Sequence, residues 1–103
     1  MKNFWEVKTC TNSYEEANLL SENIIKLGYA SCAHIHKIES KYVWNDEFVE
    51  NSEYLIVFKT TKKHKNECVR YIKQNHSYQL PEISCSKIQS TNEFFKWIKD
   101  NTN

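Results

Sequence analysis

Two β-rich runs in the middle of the chain, joined by a short turn, limit the possible folds more than any other feature. The run Ser31–Trp44 reads as one long strand, and the run Tyr54–Phe58 is composed of aliphatic and aromatic residues that favour strands. Asn45 and Asp46, between the two runs, have turn chemistry. Together these features predict a long antiparallel hairpin.

A helix pattern stands on each side of this hairpin. Upstream, Ser13 and Glu16 match a capping box, and Gly28 stands where a helix C-cap glycine belongs. Between them, apolar residues recur at helical spacing, namely Ala17, Leu20, Ile24 and Leu27. Downstream, Thr61 is predicted to open a second helix whose buried side takes Cys68, Val69, Tyr71 and Ile72.

The two ends of the chain supply the remaining elements. Phe4–Thr9 reads as a first strand, and Pro81–Ile88 as a last strand whose proline stands at the start, where a missing amide donor is tolerated. A second capping box at Ser90–Glu93 predicts a short final helix. The resulting order, β-α-β-β-α-β plus a helix, is the ferredoxin-like plan of an α+β fold. It places both main helices on one face of a four-stranded antiparallel sheet.

The returning strand of the hairpin is apolar on both sides. Tyr54, Ile56 and Phe58 point to one face, and Leu55 and Val57 point to the other. A strand that is apolar on both faces is usually packed against other elements on both, and one small domain lacks the helices to cover the second face. The sequence therefore predicts self-association through the face that the helices leave bare.

Composition narrows the possible functions. At 103 residues, the chain is expected to form one domain, residues 1–103. Its 14 basic and 13 acidic residues nearly balance, which argues against a dominant attraction to nucleic acid or to membranes. Gly28 is the only glycine, so the glycine-rich loops that cradle phosphates are excluded.

The sequence also predicts where in the cell the protein is located. No apolar run approaches the ~18 residues of a membrane-spanning helix, and the first residues lack the apolar stretch of a signal peptide. The four cysteines are widely spaced, with no C-x-x-C pair, which argues against a zinc knuckle or a thioredoxin-type dithiol. A cytoplasmic protein with free thiols is expected.

Several short segments carry a family resemblance. Residues His76–Ile83 read His-Ser-Tyr-Gln-Leu-Pro-Glu-Ile, which resembles the His-Pro-Tyr-x-x-Pro-Glu-Ile signature of the CutA proteins, a family named for divalent-cation tolerance. Further segments resemble that family in the same order and at matching spacing. They are Thr9–Thr11, Tyr29–Ile35, Ser40–Trp44, Glu53–Thr61 and Phe95–Ile98.

The resemblance implies a ferredoxin-like fold, a tight homotrimer, a cytoplasmic location in bacteria and a role in metal tolerance. It implies binding of Cu(II) or another divalent cation, with Cys10 and His76 as the candidate metal ligands. A thiolate and an imidazole suit copper or zinc, and copper is preferred on the general affinity order. Two ligands alone rarely make a tight site, so a neighbouring subunit or water would complete it. The alternative for this pair is a buried thiol and a hydrogen-bonded loop histidine.

Other residues remain candidates with open roles. Cys32, His34 and His36 share one face of a strand, which suits either a metal site or a face packed against another subunit. Tyr42, Trp44 and Tyr78 suit an aromatic binding surface or, more commonly, core or interface packing. Glu53, Lys59 and Glu82 lie in the family segments, where a lysine–glutamate pair is either catalytic or, more commonly, a structural ion pair.

Three rival functions can be compared with these features. An acylphosphatase-type enzyme shares the fold but needs an arginine in the first loop, and the single arginine, Arg70, lies in the second helix pattern. An RNA-binding sheet needs a basic, glycine-containing motif that is missing. A signalling or scaffold trimer that binds a small ligand or a protein stays open. The reading adopted is a non-enzymatic, trimeric, copper-binding protein.

Overall fold

The computed structural model describes all residues, 1–103, and contains one four-stranded antiparallel sheet. This is the predicted ferredoxin-like arrangement with a C-terminal helix, so the α+β prediction is confirmed. No helix is long and apolar enough to cross a membrane. The elements are β1 (Lys2–Thr11), α1 (Tyr14–Lys26), β2 (Cys32–Trp44), β3 (Glu47–Thr60), α2 (Lys65–Asn75), β4 (Ser84–Ser90) and α3 (Asn92–Asp100). The strands lie in the order β2-β3-β1-β4 across the sheet.

Local sequence signals explain where the first helix and the hairpin begin and end. The Ser13 hydroxyl accepts a hydrogen bond from the Glu16 amide and caps α1, as the capping box predicts. Gly28 follows the helix with φ +80°, a conformation that glycine adopts without strain. At the hairpin turn, Asn45 and Asp46 both have positive φ, so they form the turn without the glycine that such turns usually contain.

Several boundaries differ from the prediction. β3 extends far upstream of Tyr54 because the hairpin continues through residues 47–53, which are mostly polar and pair only with β2. Helix α2 begins at Lys65, after a turn in which the Thr61 hydroxyl accepts a hydrogen bond from the His64 amide. Helix α3 is capped by Thr91, one residue later than the Ser90 capping box suggests. Pro81 stands before β4, which starts at Ser84.

The main core lies between the sheet and helices α1 and α2. Val7, Ile56 and Phe58 face the helices from the two central strands and are fully buried. The helices contribute Ala17, Leu20, Ile24, Cys68 and Ile72 to the same cluster. Burial of this apolar surface is the main stabilising contribution to the fold.

The opposite face of the sheet, called the second face below, carries the residues of opposite parity. Helix α3 covers one end of it, where the Phe4 and Phe94 rings meet edge to face at 5.9 Å between centroids. Leu55 and Val57 lie farther along this face, in rows with Cys10 and Lys8 of β1. No helix covers this part, which agrees with the expected bare face.

A two-stranded arm extends beyond the sheet. Residues 38–53 of β2 and β3 pair with each other but not with β1, whose pairing with β3 stops at Tyr54. The molecule is accordingly elongated, with extents of 45 × 25 × 20 Å. Apolar side chains are exposed near the tip of this arm, among them Val43 at 70% and Phe48 at 66% exposure.

Candidate functional site

A cleft of about 800 Å³ lies where the arm, the end of β1 and the segment before β4 meet. Its lining mixes aromatic, acidic and sulfur-containing side chains, and Lys41 is its only basic residue. Because the acidic groups outnumber the basic one, the cleft is suited to a cation. Most of the sequence candidates lie here, including Cys10, Tyr42, Trp44, Glu53, Tyr78 and Glu82.

The Cys10 thiol lies close to a carboxylate. Its Sγ atom is 3.9 Å from Oε1 of Glu82, while the Ser84 hydroxyl donates to Oε2 of the same carboxylate at 3.1 Å. Burial raises the pKa of the Cys10 thiol to about 11, with further contributions from the negative charges of Glu82 and Glu53. The thiol is therefore protonated near neutral pH, and a cation that displaced its proton would find carboxylates beside it.

A second carboxylate in the cleft is held by a tyrosine. The Tyr78 hydroxyl donates to Oε2 of Glu53 at 2.7 Å, and Glu53 is buried. Burial raises the pKa of Tyr78, and the hydrogen bond and charge of Glu53 raise it further, so the phenol stays a donor at every physiological pH. This bond connects the hairpin arm to the segment before β4.

His76, the second predicted ligand, follows α2 and has a fully buried side chain. Its Nδ1 accepts a hydrogen bond from the Tyr78 amide at 3.1 Å, and its Nε2 lies 2.8 Å from the Cys10 carbonyl oxygen. A backbone amide only donates and a carbonyl only accepts, so this arrangement requires the neutral tautomer with hydrogen on Nε2. Both ring nitrogens are therefore engaged, and His76 connects the end of β1 to the segment that follows α2.

Glu16 is a site residue that the sequence argument did not find. Its carboxylate accepts hydrogen bonds from the Ser77 amide at 2.9 Å and from the Ser77 hydroxyl at 2.7 Å. A capping box would direct this carboxylate back to Ser13. The contact with Ser77 instead anchors the cleft-lining segment to α1, and no local sequence signal indicates a contact across 61 residues.

His76 does not line the cleft, and the remaining candidates also lie outside it. Lys59 forms an ion pair with Glu6 at 2.9 Å and lies 5.1 Å from the centre of the Phe4 ring, so its partner is neither Glu53 nor Glu82. Cys32, His34 and His36 all lie on the second face of the outermost strand, β2. Their shared face agrees with the alternation seen in the sequence.

The single chain has an incomplete set of metal ligands. No three histidine, cysteine or acidic side chains gather closely enough to hold a metal ion. The Cys10–Glu82 pair does fit as part of a site. Metal bonds of roughly 2.3 Å to sulfur and 2.0 Å to oxygen at a tetrahedral angle place the two donors about 3.5 Å apart. The observed 3.9 Å is close to that separation.

Thiol alkylation provides a test of this electrostatic description. With a pKa of about 11, only about one Cys10 thiol in a thousand is ionised at pH 8, and the thiolate is the reactive form. We expect iodoacetamide to label the exposed Cys85 well before Cys10. Glu82→Gln should speed labelling of Cys10 several-fold and leave Cys85 unchanged, as measured by peptide mass spectrometry. Equal labelling of Cys10 in both proteins would contradict a charge effect of Glu82.

Comparison with known proteins identifies relatives over most of the chain. Residues 6–101 match the family described as CutA1 divalent ion tolerance protein. The divalent-cation tolerance protein CutA of Thermus thermophilus is 32% identical over 92 residues, covering 87% of this chain and 89% of that protein. The chloroplastic protein CutA 1 of rice is 30% identical over 90 residues, and the match covers 85% of this chain but only 51% of the rice protein.

Solved structures agree with these matches. The crystal structure of the divalent ion tolerance protein CutA1 from Ehrlichia chaffeensis superposes with a TM-score of 0.93 at 32% identity, covering 100% of this chain and 98% of the other. The match to the family spans nearly the whole chain, including both sides of the cleft. This protein is therefore a member of the CutA1 family of divalent ion tolerance proteins.

Proposed function

We propose that this protein is a homotrimer that binds a divalent cation, with copper preferred, in the cleft beside Cys10 and that it acts in metal-ion tolerance in the cytoplasm. The single observation that carries the proposal is the Cys10–Glu82 contact at 3.9 Å in a cleft rich in acidic groups. The family description of divalent ion tolerance supports the same function. No catalytic step is proposed.

The two predicted ligands, Cys10 and His76, differ in whether their donor atoms are free to bind the ion. Cys10 supplies a thiolate once its proton leaves, and Glu82 supplies Oε1, since Ser84 occupies only Oε2. His76 can bind the ion only after the Tyr78 amide releases Nδ1. In a trimer, a neighbouring subunit or water completes the ligand set, because the chain alone gathers fewer than three donors.

Calorimetric titration with Cu(II), and with redox-inert Zn(II) in parallel, tests the site. We expect Cys10→Ser to weaken binding by on the order of 100-fold and Glu82→Gln by about tenfold, within the range seen for metal-site substitutions. Cys85→Ser is the matched control, because this thiol is exposed and lies outside the cleft. If Cys10→Ser binds copper as the unmodified protein does, the site lies elsewhere.

Measuring the metal affinity at several pH values distinguishes a site with a thiolate ligand from a site formed by carboxylates alone. The folded-state pKa of Cys10 is about 11, so binding releases one thiol proton at every pH below that value. The apparent dissociation constant should therefore fall about tenfold for each pH unit between roughly pH 7 and 9. Cys10→Ser should remove this slope. His76→Gln should leave the slope intact if His76 only positions the segment, and should weaken binding further if it is a ligand.

The trimer is supported by the arm. An isolated two-stranded hairpin is marginally stable in water, yet residues 38–53 form such a ribbon with exposed apolar side chains near its tip. Packing against a neighbouring subunit would cover Trp44, which is 41% exposed in the single chain. The bare part of the second face adds a further apolar surface to the proposed interface.

Light scattering at micromolar concentration should give close to three times the chain mass of 12.3 kDa. Trp44→Ala should weaken association at least tenfold, because buried tryptophans are common hot spots of interfaces. Trp97→Ala is the control, since Trp97 has a similar exposure of 46% but lies on α3. A stable monomer, or equal effects of the two substitutions, would contradict docking of the arm.

A small-ligand or scaffold role is the second candidate. The cleft has room for a small molecule, and Trp44, Tyr42 and Leu80 give it an apolar side. Under this alternative, the unmodified protein binds neither metal in calorimetry. A trimer that binds no metal would therefore favour this second role.

A further inference from the structure

We propose that Cys32 and His34 form a second metal site, specific for monovalent copper, at the edge of the second face and separate from the cleft. The side chains are already together, with Sγ of Cys32 3.5 Å from Nε2 of His34. The two residues are alternate positions of one strand, so a rigid backbone holds them side by side.

The distance between the donors matches a shared ion. Bonds of roughly 2.3 Å to sulfur and 2.0 Å to nitrogen at a tetrahedral or trigonal angle place the two atoms about 3.5–3.7 Å apart. The observed 3.5 Å needs no rearrangement of the strand. His34 is exposed in the single chain, and its ring lies edge to face with the His36 ring at 6.5 Å between centroids. An ion bound at Nε2 would replace the thiol–imidazole contact.

Burial and charge act in opposite directions on the Cys32 thiol. Lys59 stands directly across from Cys32 on β3, and its positive charge lowers the pKa of this thiol against the larger raising effect of burial. The neighbour across from His34 is Val57, an apolar residue that offers no competing hydrogen bond. The Cys32–His34 pair therefore lies beside the ammonium group of Lys59 and next to the apolar side chain of Val57.

The number of ligands selects the metal. Structural zinc sites need four protein ligands, whereas monovalent copper is soft, is selected by thiolates and accepts three ligands at trigonal angles. Cys32 and His34 would supply two of the three, and a solvent molecule would supply the third. His36 is too far to join. Residues 32 and 36 of an extended strand are about 13 Å apart at roughly 3.3 Å per residue, and the two side chains with their metal bonds fall short of that span. His36 packs against the His34 ring but cannot reach the Cys32 thiol, so it is the control for ring packing on the same face.

This site is distinct from the one at Cys10. Cys32 pairs with Lys59 and Cys10 pairs with Leu55, four positions apart on the strand between them. At the usual strand spacings, the two cysteines are roughly 16 Å apart. The inference therefore does not rest on the proposed cleft function, and the Cys10→Ser variant separates the two.

The test is an anaerobic titration of the native oligomer with Cu(I), kept reduced by ascorbate, in competition with a chromophoric Cu(I) chelator. All variants carry Cys10→Ser. We expect this background to retain one tightly held Cu(I) per chain, Cys32→Ser to weaken binding by on the order of 100-fold, and His34→Gln by about tenfold. Cys85→Ser and His36→Gln should match the background, and size-exclusion chromatography should confirm an unchanged oligomer.

X-ray absorption of the loaded Cys10→Ser protein provides an independent readout, with one sulfur, one imidazole nitrogen and one further light atom expected around copper. The proposal is overturned if the background binds no Cu(I), if binding survives Cys32→Ser, or if His36→Gln costs as much as His34→Gln. Two sulfur neighbours would also overturn it, because copper would then join cysteines of different chains. If the cleft beside Cys10 binds no Cu(II), the Cu(I) titration at Cys32 and His34 keeps the same expected outcome.

Discussion

Replacing Leu55 with aspartate is expected to dissociate the proposed trimer into folded monomers. Leu55 lies on the second face, in a row with Cys10 and His36, and is absent from the core cluster under the helices. In the proposed trimer, a carboxylate at this position would be buried against a neighbouring subunit without a dedicated partner, at a cost of several kcal/mol. The same substitution in a monomer meets solvent and should leave the helix-side core intact.

Light scattering and circular dichroism measured together check this result. The expected outcome is a mass near 12.3 kDa with a retained α+β spectrum. Leu19→Asp is the control, because Leu19 is 60% exposed on α1 and should tolerate a charge without any change of mass. A trimer that persists with Leu55→Asp would show that the second face is not the interface.

Much of the fold could be predicted because the local signals agree with one another. The capping serine, the helical spacing of Ala17, Leu20 and Ile24, and Gly28 all indicate the same helix, and the structure confirms it. Boundaries were less accurate where tertiary pairing decides them. The upstream part of β3 is mostly polar, with Phe48 and Val49 side by side and no apolar alternation, and it is a strand because β2 pairs with it.

The site was harder to predict because its contacts join distant segments. The alternation of side chains along β1 predicts the face on which Cys10 lies. The short distance between Cys10 and Glu82, however, depends on the register of β1 and on the path of the segment before β4. Those two residues are 72 positions apart. The contact of Glu16 with Ser77 escaped for the same reason. For His76, a hydrogen-bonded loop histidine was one of the two alternatives, but its partner, the Cys10 carbonyl oxygen, could not be predicted. The family resemblance selected Cys10 and His76 but could not describe these partners.

Truncating one buried leucine of α1 should destabilise the fold far more than truncating its neighbour. Leu20 is 3% exposed and belongs to the core cluster, whereas Leu19 is 60% exposed on the same helix. Leu20→Ala should lower the free energy of unfolding by about 2–5 kcal/mol, because it removes buried methyl groups and leaves a cavity. Leu19→Ala should change it by less than about 0.5 kcal/mol, since alanine is a good helix former. Chemical denaturation at one fixed protein concentration compares the two, because unfolding of an oligomer depends on concentration. Similar losses for both variants would mean that α1 packs through a different face from the one described.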